Sequence, residues 1–137
     1  MYISYNPNPV GKSTGDCVIR ALTKALNKPW DQVYIELCVE GYILGDMPSS
    51  NSVWSAYLKH HDFIKNLIPN SCPDCYTVRD FVNDNPIGTF ILGTGEHAVA
   101  VIDGNYYDSW DSGREVHIYY FSYKGDKNGV CEISLLL

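Results

Sequence analysis

The chain lacks any block of Lys or Arg, and its net charge is -6. Binding a phosphate backbone needs a basic face, so nucleic acid is excluded as the expected partner. No apolar stretch of signal-peptide length occurs in the opening MYISYNPNPVGKSTGD, and no later run approaches a membrane span. The closing Leu-Leu-Leu is too short for an anchor. Internal repeats and low-complexity segments are also missing. The five cysteines are odd in number and irregularly spaced, which fits reduced thiols better than a disulfide framework. A cytoplasmic protein with no membrane or nucleic-acid partner is the expectation. What is present in quantity is aromatic: eleven Tyr and three Trp in 137 residues. That length predicts a single domain, residues 1–137, able to bury a core without staples.

The first sixteen residues, rich in Pro, Asn and Gly, read as an extended lead-in. Val18, Ile19, Leu22, Ala25 and Leu26 then recur at helical spacing, and Asn27 with Pro29 closes that helix. A second helix opens at Pro29, with Trp30, Val33, Tyr34, Leu37 and Cys38 on one stripe, and Gly41 and Gly45 loosening its end. The loop GDMPSSN leads to a third, capped by Ser49 or Ser50, with Val53, Trp54, Tyr57 and Leu58 as its apolar face. Residues 63–68 predict a short strand. Thr77, with Asp80 three residues on, predicts a capped fourth helix. From Thr89 the chain becomes strand-like: TFILG, HAVAVI, NYYDSW, EVHIYYFSY and VCEISLLL, with Asp103-Gly104 as a hairpin turn. Helices first and an antiparallel meander second predict an α+β domain with helices packed on one side of a sheet.

Cys17 lies in the first turn of the first helix, with Thr14 or Asp16 as its cap. Free N–H groups and the helix dipole there lower a thiol pKa, and the same groups can stabilise an oxyanion. Of the four histidines, His60 and His61 end a helix and face solvent, and His117 sits among aromatics as a surface or core residue. His97 starts an apolar strand just after two glycines, where a polar ring can meet a helix N-terminus packed on the sheet. If Asp103-Gly104 is a two-residue turn, residue 102 pairs with 105, 99 with 108 and 97 with 110. Asp108 and Trp110 then share the face of His97. Asp108 is its diagonal neighbour and can fix its tautomer. A turn one residue longer or shorter offers Asp111 instead.

The order Cys17, His97, Asp108 resembles that of the papain-like cysteine peptidases, whose G-S-C, His and N-S-W motifs are similar to GDC, HAVAV and DSW here. The likeness spans Cys17 to Trp110 and points to compact bacterial or phage members, such as those that trim leader peptides. It implies a papain-like fold, with the nucleophile helix packed on a C-terminal antiparallel sheet. It also implies that Cys17 attacks a carbonyl, His97 exchanges the proton, Asp108 orients His97, and Trp110 shields their contact from water. The family places a Gln before its Cys as oxyanion donor, whereas the single Gln here is Gln32. Asn6, Asn8, Ser13 and Thr14 are the substitutes on offer, with backbone N–H groups as the alternative.

No cofactor is expected. Cys72 and Cys75 form a C-x-x-C, a weak zinc candidate without a second pair, and read instead as a turn before the fourth helix. Cys38 and Cys131 read as core. The loop GDMPSSN is placed to flank a cleft beside Cys17. The leading function is a cysteine hydrolase, a peptidase acting on a protein or peptide with some basic character. An amidase, deamidase or transglutaminase-like enzyme would use the same triad. A catalytically weak binding module on the same fold, a phage or mobile-element inhibitor of a host factor, is the non-enzymatic reading.

Overall fold

The computed structural model describes residues 1–68, 76–94 and 96–127. Cys72, Cys75, Cys131 and the run VCEISLLL lie outside them. Among the described residues, four α-helices and six strands make an α+β fold. In chain order they are β1 (Tyr2–Ser4), α1 (Cys17–Leu26), α2 (Trp30–Leu44), α3 (Asn51–His60), β2 (Phe63–Leu67), α4 (Val78–Asp84), β3 (Thr89–Gly93), β4 (Ala98–Ile102), β5 (Asn105–Asp108) and β6 (Tyr119–Tyr123).

Local chemistry sets the helix ends. Asn27, at φ 54°, closes α1 by donating its N–H to the Thr23 carbonyl. Thr77 and Asp80 form the anticipated reciprocal capping box of α4. Ser50 stands at the N-cap of α3 but makes no capping bond; its hydroxyl donates to Asp46. On α2, Val33 and Leu37 are buried, whereas Tyr34 is 47 % exposed and leaves the predicted stripe.

The sheet is mixed, not an antiparallel meander. Its order is β1-β5-β4-β3-β6-β2. The lead-in supplies β1, which pairs parallel with β5, Ser4 opposite Asp108. The strand from the helical half, β2, closes the other edge against β6. Parallel partners need a long crossover, and here the whole helical half and the central strands supply it. The β4–β5 hairpin has the expected register, with Ile102 opposite Asn105 and Ala100 opposite Tyr107. Asp103 at φ 49° and Gly104 at φ 82° make the two-residue turn, a conformation that suits Gly because it has no Cβ.

Both faces of the sheet are covered, not one. On one face Ala21, Leu22, Val33, Leu37, Trp54 and Leu58 of α1–α3 meet Ile91, Ala98, Ala100 and Phe121. On the other, Val78, Phe81 and Val82 of α4 meet Phe90, Leu92, Val99, Val101 and Tyr106. Strands β3 and β4 are therefore apolar on successive residues, as strands buried on both sides must be. Each fully buried Leu or Val contributes about 1.5–3 kcal/mol of burial free energy. Among the described residues, no helix is long and apolar enough to cross a membrane.

Candidate active site

Helix α1 lies across β3, β4 and β5, and its first residue is Cys17. Its first-turn N–H groups have no partner within the helix and point out of its N-terminus. His97 ends the tight loop between β3 and β4. Thr94 holds that loop: its N–H bonds the His97 carbonyl at 2.9 Å, and its hydroxyl accepts the His97 N–H at 3.1 Å. The ring's Nε2 is 2.6 Å from Asp108 Oδ2. That leaves Nδ1 as the ring nitrogen not committed to Asp108. The Cys17 thiol lies close enough for it and His97 to shift each other's ionisation, and it donates to the Glu96 carbonyl at 4.0 Å. Trp110 stacks on the His97 ring at 5.3 Å between centroids while remaining 49 % exposed.

Asp108 is fully buried and fully satisfied. Oδ2 accepts from His97 Nε2 and, at 2.6 Å, from Ser112 Oγ. Oδ1 accepts from Arg20 Nη2 at 3.0 Å and from the Ser109 N–H at 2.8 Å. Arg20, itself buried, gives its Nη1 to Asp16 Oδ1 at 2.8 Å. Trp30 Nε1 donates to Asp16 Oδ2 at 2.8 Å. Asp16 is the N-cap residue of α1, but its carboxylate makes no capping bond. A hydrogen-bonded chain thus runs from the start of α2 through Asp16, Arg20 and Asp108 to His97, beside Cys17.

The charges respond to this setting. Burial of Cys17 opposes ionisation, but the hydrogen bond to His97, the Ala98 N–H and the positive charges of His97 and Arg20 outweigh it, so the thiol sits below its ordinary value. Burial lowers His97, but the bonds to Asp108 and Cys17 and their charges dominate and raise it to about 9. Asp108 is held below the usual carboxylate range: burial raises it, and His97, Ser112 and the Ser109 N–H more than offset that. All three shifts run toward a thiolate–imidazolium pair beside an ionised carboxylate.

A cleft of about 540 Å³ opens beside the sulfur. Val18, Ile19, Tyr34, Leu37 and Trp54 give it apolar walls, and Met47, Pro48 and Ser49 of the 45–50 loop form one rim, as the position of GDMPSSN suggested. Cys38 is half-buried in this wall, not sealed in the core. Across His97 lies a more open groove lined by Thr94, Glu96, Trp110, Glu115 and Val116.

Other expected site residues are elsewhere. Asp111 turns away from His97, accepting from the Tyr106 hydroxyl and the Gly113 N–H. Asn6, Asn8 and Thr14 do not line the cleft. Asn6 Oδ1 accepts the Asn8 N–H and Asn8 Oδ1 the Val10 N–H, both local turns, while the Thr14 carbonyl accepts the Asp16 N–H. His60 is exposed beside Glu40. His61 is only half exposed, bonded to Lys28 and the Tyr57 carbonyl. His117 is buried under α4, and neither ring nitrogen has a partner among the described residues. No group of three or more His, Cys, Asp or Glu among the described residues is placed to hold a metal ion. Sequence reasoning missed Arg20, Ser112 and Thr94, and took Asp16 only as a candidate cap of α1. The i,i+4 spacing of Asp16 and Arg20 was the one visible sign of a pair.

No family model, curated protein or solved structure matches the chain.

Proposed function

We propose that this protein is a papain-like cysteine hydrolase, a peptidase in its reaction type. The observation that carries the reading is the His97 ring, bonded through Nε2 to buried Asp108 and close enough to a thiol at the head of a helix for each to shift the other's ionisation. The Cys17 thiolate attacks the substrate carbonyl carbon. The oxygen takes up negative charge beside the backbone N–H groups of the first turn of α1. As the C–N bond breaks, the His97 imidazolium gives its proton to the leaving amine and a Cys17 thioester remains. A water then attacks the thioester, His97 takes its proton, and the acid product and the thiolate are released. The cleft beside Cys17 takes a bulky apolar side chain of the acyl part. The net charge of -6 suits a protein or peptide substrate with basic character. Amidase, deamidase and transglutaminase-like reactions differ only in the leaving group or the acceptor. Unpaired thiols at Cys17 and Cys38 fit a reducing, cytoplasmic setting.

Iodoacetamide labelling against pH tests the nucleophile. Cys17 is expected to react well below the ordinary thiol pKa of about 8.5. A curve centred on the ordinary value, or no reaction, overturns the reading. One observation favours a binding module on the same scaffold: none of Asn6, Asn8 and Thr14 lines the cleft as a side-chain oxyanion donor. Loss of one such donor typically costs about 10²–10³ in rate. A pull-down with Cys17→Ala against wild type separates the two. A substrate is held by the variant and cleaved by wild type, whereas an inhibited partner is held and left intact by both.

A further inference from the structure

Arg20 has no role in the acyl-transfer steps, yet it is placed at their centre. Its guanidinium is buried, and its two terminal nitrogens go to two different carboxylates. One belongs to Asp16, the residue immediately before the nucleophile. The other belongs to Asp108, the partner of His97, 88 residues away in the chain. We propose that Arg20 is a positioning residue. It clamps the Cys17-bearing turn of α1 to the His97-bearing side of the sheet, and so sets both the alignment and the working pH of the Cys17–His97 pair. This rests on the thiol-hydrolase reading of the same site.

The geometry argues for a clamp and not a general ion pair. Each partner carboxylate is itself immobilised from a second side: Asp16 by Trp30 of α2, and Asp108 by Ser112 and the Ser109 N–H. Oδ1 of Asp108 has one side-chain partner, Arg20; without it that oxygen keeps only the Ser109 N–H. The carboxylate then loses one of its four hydrogen bonds, and the orientation it imposes on the His97 ring is held less tightly. The task needs a fork. A lysine ammonium supplies the charge, but not two nitrogens spread to reach Asp16 and Asp108 together.

The charge has a second consequence. A cation close to titrating groups disfavours their protonated forms, so removing it raises the pKa of Cys17 and His97 alike. The whole active pH window should move to higher pH, without a matching change in its width. The groups that face the pair are Asp16 and Arg20 of α1, Asp108 at the end of β5, and Tyr119 of β6, which feels the charge of Cys17, while Glu96 of the preceding loop meets the thiol through its main-chain carbonyl. Of these, Arg20 is the only cation.

The test compares wild type, Arg20→Lys and Arg20→Met by the rate of Cys17 alkylation against pH. The His97 ring resonance is titrated in each protein in a Cys17→Ala background. Arg20→Met is expected to move both midpoints up by about one unit. Arg20→Lys is expected to keep the midpoints near those of wild type, but to lower turnover of the substrate trapped by Cys17→Ala by about tenfold to a hundredfold through misalignment. Should Arg20→Met fail to fold, Arg20→Lys alone decides: turnover equal to wild type overturns the clamp. Unchanged midpoints in a folded Arg20→Met overturn the electrostatic part. A wild-type Cys17 midpoint at the ordinary thiol value instead defeats the hydrolase reading, and the His97 titration still reports what Arg20 does to Asp108 and His97.

Discussion

His97 and His117 each lie just before a strand of the same sheet, each packs against an aromatic ring, and they are driven in opposite directions. His97 meets a carboxylate and a thiol, which outweigh its partial burial and raise it to about 9. His117 has Tyr76 and Phe81 against its ring, at 5.4 and 5.3 Å between centroids, and burial lowers it to about 4, with the distant charge of Asp80 opposing only in part. Burial alone therefore decides little. What separates the two is whether the low-dielectric surroundings contain a partner for the charge. The α1 end of the sheet supplies four donors to one buried carboxylate. The α4 face supplies packing.

The sharpest way to break this contrast is to remove each ring. His97→Ala should return Cys17 to ordinary thiol behaviour and lower turnover of a trapped substrate by about 10²–10⁴. His117→Phe should leave both unchanged. Alkylation rates near neutral pH and substrate cleavage check the pair. Next in size is Asp108→Ala, which leaves Arg20 buried against an emptied site. Loss of one partner of a buried pair costs about 3–5 kcal/mol, to be read from the urea midpoint.

Stability against pH sharpens the comparison further. His97 has its folded pKa above its unfolded value, so its stabilisation is complete below about 6.5 and is lost as pH rises through about 9. His117 has its folded pKa below its unfolded value. Its neutral form is favoured above about 6.5, and stability is lost as pH falls from there through about 4. His117→Phe should remove the loss between about pH 6.5 and about pH 4, and leave the alkaline loss and the loss that depressed carboxylates such as Asp108 add at lower pH. Urea midpoints across the pH range would show this, and an unchanged acid limb would refute it. The smallest effect belongs to Trp110→Ala. Its ring stacks on His97 but is half exposed, so about 0.5–1.5 kcal/mol of aromatic contact is at stake. A slight fall in the His97 midpoint is expected by NMR.

The positions of Cys17, His97 and Asp108 were legible because each rests on local rules. Helical periodicity places Cys17 at the head of α1, and a two-residue turn at Asp103-Gly104 sets the parity that brings Asp108 to His97 and sends Asp111 away. The parallel pairing of β1 was hidden. Three residues are too few for any period, and the partner lies about a hundred residues on. The double-sided burial had left a sign, the unbroken apolar runs of β3 and β4, which alternate in neither strand. The Asn-Pro-Asn-Pro lead-in likewise carried its own turn chemistry, which ties Asn6 and Asn8 to neighbours and keeps them from the cleft. Arg20 was legible only as half of an i,i+4 pair, since its second partner exists only in the folded chain.

The same long separations bear on how the molecule is made. Cys17 leaves the ribosome long before Asp108, and the Arg20–Asp108 contact closes a loop of 88 residues. Such distant contacts form late, because chain entropy must be overcome before they reward it. During synthesis the thiol is therefore an ordinary cysteine at the end of an incomplete helix. On the proposed reading its activation waits for the β4–β5 hairpin to dock, so a nascent chain would be spared the chemistry of that thiol until every element before β6 has been made.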